Sequence, residues 1–173
     1  LAIIKAGQYH QFNLGNSPGM LRLINPVMDA NADNPYVHGM QAFALEQCHQ
    51  LDAAEAAAWK AVELQRKEPW AHHALAHVML TQGRIDEGIR FFDDVRDTWT
   101  DLNSFMYTHN WWHDAVFHIA RGNNDQALKI YDDHVWGLLK DYSQDQIGAV
   151  SLLARLELVG VDVGERWQEV ADY

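Results

Sequence analysis

The stretch WAHHALAHVMLTQGRIDEGIRFF, Trp70 to Phe92, decides the fold. Before its turn at Gln82-Gly83-Arg84, His72, Leu75, Ala76 and Met79 recur at three- and four-residue steps. After it, Ile85, Gly88, Ile89 and Phe92 do the same, which is the spacing of one helix face on each side of a turn. The small residues Ala76 and Gly88 have counterparts at Ala42 and Ala54, and Val95 follows Ala61 at the same offset. A helix–turn–helix unit repeated at a fixed period buries its apolar face only against its neighbours. The pattern therefore predicts a stack of helix pairs, not an enclosed catalytic core.

Working outward, that offset of about 34 residues is the length of a tetratricopeptide repeat, with its small residues and its aromatic slots. The first copy starts at Asn34-Pro35, an N-cap followed by proline at the first helical position. It carries His38, Gln41, Ala42 and Leu45, then Ala54, Ala58 and Ala61. Small residues there let antiparallel helices approach closely. The second copy starts at Glu68-Pro69-Trp70. A third follows after a step longer by five, with Trp111, Asp114, Ala115 and His118, the turn Arg121-Gly122-Asn123, then Ala127, Tyr131 and His134. The extra positions fall within Arg96 to Ser104, where they either extend a helix or form a loop. The fold class expected is all-α, a TPR-like αα superhelix, a right-handed solenoid of antiparallel helix pairs.

The flanks are less regular. Residues 1–33 hold a dense turn cluster from Asn13 to Gly19 and a possible short helix from Met20 to Met28, interrupted by Pro26. Residues 34–143 are read as three repeat-type helix pairs and 144–173 as an atypical C-terminal pair. In that pair a helix from Gln144 to Val159 presents Ile147, Val150, Leu153 and Leu156, stops at Gly160, and is followed by a second helix near Trp167. Terminal units of such stacks commonly serve as caps. Their uncovered faces make a homo-oligomer plausible.

Composition bounds the partners. The 173 residues carry 13 Lys and Arg against 24 Asp and Glu, a formal charge of −11, which argues against nucleic acid and anionic membrane because phosphate binding needs clustered Lys and Arg. A protein, a peptide or a small molecule is the expected partner. Cys48 is the single cysteine, so no intrachain disulfide staples the fold; it reads as a small core hydrophobe. No apolar run nears about 20 residues. The location expected is cytoplasmic.

Ten histidines are present, and their arrangement matters more than their number. His73 and His77 are four apart, as are His109 and His113 on the equivalent helix of the next repeat, so each pair shares a helix face. Leading helices of adjacent repeats line one surface, so His73, His77, His109, Trp112 and His113 are the candidate ligand-binding groove. Packed, hydrogen-bonded or ligand-contacting rings are the favoured reading, with no cofactor. The minority reading makes His73, His77, His109 and His113 ligands of Zn or another transition metal, with Asp114 orienting one ring. Neither pair carries the glutamate of the zinc-protease signature, since Ala74 and Asn110 follow the leading histidines. Trp111 fits a core slot and Trp112 points roughly 100° away. Asp93-Asp94 and Asp132-Asp133 read as a solvated outer face.

The segments Trp70 to His77, His109 to His113, Ile130 to His134 and Val163 to Gln168 resemble the tetratricopeptide repeat protein 38 family over about residues 34 to 173. That resemblance implies a helical-repeat protein of undefined biochemical role, matched over the central part of longer chains, and brings no catalytic residues with it. The function expected is a binding or scaffold module. The alternative is a metal- or small-molecule-dependent enzyme with the two His pairs as ligands or acid–base groups.

Overall fold

The computed structural model describes residues 1–173, a chain of helices, turns and loops with no strand. It divides into two compact units, Leu1–Gly83 and Arg84–Tyr173.

The first unit holds α1 (Ala2–Asn13), α2 (Ser17–Ile24), α3 (Pro35–Gln47), α4 (Leu51–Leu64) and α5 (Pro69–Thr81). Residues 1–33 thus differ from expectation: they are mostly helical. Asn16 caps α2 by accepting the Gly19 N–H at 3.2 Å, with Pro18 in the first turn. What reads as a turn cluster is a helix end, a cap and a helix start placed back to back. Asn34 caps α3 as expected, its Oδ1 accepting the Tyr36 N–H at 3.1 Å. Helix α3 packs on α2 and α4, and α5 packs on both α3 and α4. The alanines explain the close approach: Ala42, Ala54, Ala58, Ala61, Ala74 and Ala76 are all fully buried, and none keeps one helix at arm's length from the next. Met20, Ile24, Val37, Met40 and Ala44 fill the core beneath α2 and α3.

The second unit is built around α7 (Ser104–Arg121), which packs on α6 (Ile85–Val95), α8 (Asn124–Ile130) and α9 (Ser143–Leu158), while α10 (Arg166–Ala171) lies on α9. Helix α8 runs on into a π-helical turn at Tyr131–Val135. Gly122 ends α7 in the left-handed region, φ 83°, the conformation glycine adopts without steric cost. The longer third step is a helix extension: α7 has 18 residues where α3 and α5 have 13 each. Its new first turn starts at Asn103, whose Oδ1 accepts the Met106 N–H at 2.9 Å. Asn103→Ala is expected to cost about 1 kcal/mol, read as a lower urea midpoint at unchanged slope. An unchanged midpoint would show that packing alone holds the added turn.

Helix α9 departs from its expected face. Ala149, Leu152, Leu153 and Leu156 are buried, whereas Ile147 is 66% and Val150 42% exposed. The reason is angular: steps of three residues drift by about 60° each, so Ile147 and Leu156 end about 180° apart. The buried set mixes steps of three, one and three, which holds one face.

Candidate functional site

Helix α5 starts where Glu68 caps it, Oε2 accepting the Ala71 N–H at 2.6 Å, with Pro69 in the first turn. Further along, His73 and His77 share a face, and their Nε2 atoms stand 3.0 Å apart. His73 is 4% exposed, with Phe43 at 5.4 Å and Trp70 edge-on at 5.9 Å between centroids. His77 is half-buried, and its Nδ1 lies 3.1 Å from Glu46 Oε1 on α3. A carboxylate at Nδ1 holds the proton there and leaves the His77 Nε2 lone pair to accept a hydrogen bond from the His73 Nε2–H. Glu46 is the residue that sequence reading missed. It precedes His77 by 31 positions, short of the repeat period, so neither the period nor local spacing pairs the acid with the imidazole.

Helix α7 carries the second pair. His109 lies between two stacked rings, Phe105 at 4.9 Å and 18° and Trp112 at 5.6 Å and 9°. His113 meets His109 edge-on at 4.7 Å and is 3% exposed; a ring nitrogen of each lies within 4.8 Å of the other. Phe105 belongs to the turn that lengthens α7, so the insertion supplies the floor for His109. Trp112 is half-buried: its Nε1–H donates to Ser151 Oγ at 2.8 Å and the Arg155 guanidinium sits 5.1 Å above its ring. Its polar edge and one face are thus used within the unit.

Asp114 does not orient a ring of either pair. Its carboxylate lies 3.5 Å from Arg96 Nη1 and 3.7 Å from His118 Nε2, the second too long for a hydrogen bond. Burial pushes its pKa up to about 7, with Arg96 pulling the other way. Arg96 divides itself, holding the exposed Asp93 at 2.7 Å with its other terminal nitrogen. His118 is held low by burial. His134 accepts or donates at 2.8 Å with the Tyr107 hydroxyl and stacks on Trp111 at 3.7 Å. Asp145, buried near the start of α9, accepts from Ser104 and Thr108 and ties α9 to the added turn of α7. Asp93, Asp94, Asp132 and Asp133 are exposed; Asp132 receives both Arg166 Nε and Nη2 at 2.7 Å.

No helix is long and apolar enough to cross a membrane. No family model matches the chain. Solved structures do match. A thermophilic TPR protein of Thermus thermophilus superposes with a TM-score of 0.70 at 13% identity, over 85% of this chain and 78% of that one. A tetratricopeptide repeat protein from Parabacteroides merdae gives 0.63 at 16%, over 98% and 70%, and MamA gives 0.61 at 15%, over 96% and 97%. The fold is therefore TPR-like and all-α. At these identities the likeness extends to the fold alone.

Proposed function

We propose that this helical-repeat chain is a binding module in which each histidine pair, His73–His77 in the first unit and His109–His113 in the second, is by itself a ligand pair for a divalent transition-metal ion. The observation that carries the reading is the 3.0 Å between the Nε2 atoms of His73 and His77, with Glu46 fixing the tautomer of His77. Two imidazole nitrogens on one tetrahedral ion, each bonded at about 2.0–2.1 Å, stand about 3.3 Å apart. The first pair therefore needs only a few tenths of an ångström of movement. Imidazole nitrogen suits Zn²⁺, Ni²⁺ and Cu²⁺ and not Mg²⁺ or Ca²⁺, which prefer oxygen.

Burial favours an ion over a peptide at these residues. His73 and His113 expose 4% and 3% of their surface, enough for a lone pair to reach an ion and too little for a partner's side chain to pack on. Trp112 has given its N–H to Ser151. A protein partner, which the repeat architecture favours, meets other surface, and a charge of −11 favours a basic one. The segments Trp70–His77 and His109–His113 also support membership of the tetratricopeptide repeat protein 38 family.

The test is thermal unfolding of tag-free protein with and without Zn²⁺. An ion at one hundred times its Kd stabilises the fold by about 2.7 kcal/mol. The shift is expected to shrink in His73→Ala/His77→Ala and again in His109→Ala/His113→Ala, each double variant losing the pair on its own unit. A shift unchanged in the first double variant contradicts the reading.

A further inference from the structure

The first unit contains a cavity of about 250 Å³ that no histidine lines. Its wall is aromatic, with Tyr9, Phe12, Tyr36, Phe43 and Trp70. One carboxyl enters this apolar surround. Glu68 is fully buried; its Oε2 accepts the Ala71 N–H, and its Oε1 has no hydrogen-bond partner. Backbone shape makes room for it: a Cβ at Gly39 would fall 3.0 Å from Glu68 Cδ and closer still to Oε2, so only glycine lets α3 pass the carboxyl. The other buried polar group, Gln8, is satisfied, donating to the Met40 carbonyl at 3.0 Å.

We propose that this cavity binds a small apolar molecule bearing one protonated amine, with the ammonium donating to Glu68 Oε1 and the hydrocarbon body packed among the rings. The unsatisfied buried atom is an acceptor, so it calls for a donor. A wall with five aromatic side chains favours a cation over an anion. The protein itself shows the preference at the same wall, where Lys5 Nζ lies 5.9 Å from the centroid of Trp70. Burial holds the Glu68 carboxyl up to about 7, with the Ala71 N–H, Lys5 and, least, the Trp70 N–H pulling it down; a second, bound cation acts in the same direction as Lys5. At about 30 Å³ for each water displaced, the volume suits a ligand of phenylethylamine size. Larger sites, of about 300 Å³ and above, suit drug-sized molecules.

The experiment titrates the full chain with 2-phenylethylamine into the millimolar range, following Trp fluorescence and heat. The neutral 2-phenylethanol and the anionic 3-phenylpropionate are run in parallel. Saturable binding of the amine is expected, at least tenfold weaker in Glu68→Gln, with the alcohol weaker and the acid weakest. Glu68→Gln keeps an acceptor for the Ala71 N–H. Gly39→Ala, which crowds the carboxyl, is expected to weaken the amine as well, with helical circular dichroism confirming that both variants fold. No saturable amine binding, equal binding by Glu68→Gln, or tighter binding of the acid through Lys5 would each overturn the proposal.

Discussion

Replacing Glu68 by glutamine is expected to leave stability near pH 4 almost unchanged and to raise it near pH 8 by about 3 kcal/mol. In the folded chain burial lifts this carboxyl from 4.5 to about 7. An unfolded glutamate releases its proton near the lower value, so between the two the folded state holds a proton that the unfolded state has lost. The associated stability is fully present below pH 4.5 and is lost as pH rises through about 7. Above that the native chain buries a bare carboxylate, whereas glutamine carries no charge to bury. The glutamine side chain retains a carbonyl oxygen for the Ala71 N–H, so the cap of α5 survives. His72 and Asp114 titrate in the folded state outside their ordinary ranges too, but both are common to the two proteins and cancel in the difference. Urea midpoints at pH 4 and pH 8 for the two proteins check this. A difference independent of pH would show that water reaches the carboxyl.

Gly88→Val is expected to destabilise the second unit by about 2–3 kcal/mol. Gly88 sits on α6 in the small slot that Ala54 and Ala127 fill in the other repeats. A Cβ there would fall inside the van der Waals surface of the Phe117 ring. Phe117 is fully buried and meets Phe92 edge-on at 5.5 Å between centroids, and Phe92 meets Trp99 the same way at 5.0 Å. The ring cannot retreat without displacing that chain of contacts. Valine gains only about 0.3 kcal/mol over glycine in helix propensity, so overpacking wins. Trimming the ring should relieve it: Gly88→Val/Phe117→Leu should cost less than the two single changes added together. Strict additivity would mean that the two side chains do not meet.

The repeat was legible because its signal lies in residue size at fixed spacing. Ala42, Ala54, Ala58, Ala61, Ala76 and Gly88 are buried where helices must approach, and no long-range information is needed to see the period. The longer third step was equally plain, and the 18-residue α7 absorbs it. Helix α1 was hidden because AIIKAGQYHQFN has no one-sided apolar stripe; Gln8 is its one buried residue. The face of α9 is not legible in its three-residue steps because these spiral around the helix, leaving Ile147 and Val150 exposed.

At the candidate site the local part was readable and the distant part was not. Four-residue spacing placed His73 with His77 and His109 with His113. The carboxylate beside His77 comes from another helix, and Asp114, the acid nearest in sequence to His113, turned instead to Arg96. Glu68 read as an ordinary helix start, since a glutamate before Pro69 is commonly solvated. Its burial depends on Gly39 and on aromatic rings from α1 and α3, which no local pattern contains.

The most direct test of the central claim is metal uptake measured by equilibrium dialysis of tag-free protein against Zn²⁺, followed by metal analysis of the protein. The expected result is saturable uptake by the native chain and none by the variant with His73, His77, His109 and His113 all replaced by alanine, with helical circular dichroism preserved. Equal uptake by that folded variant, or no saturable uptake by the native chain, would contradict it.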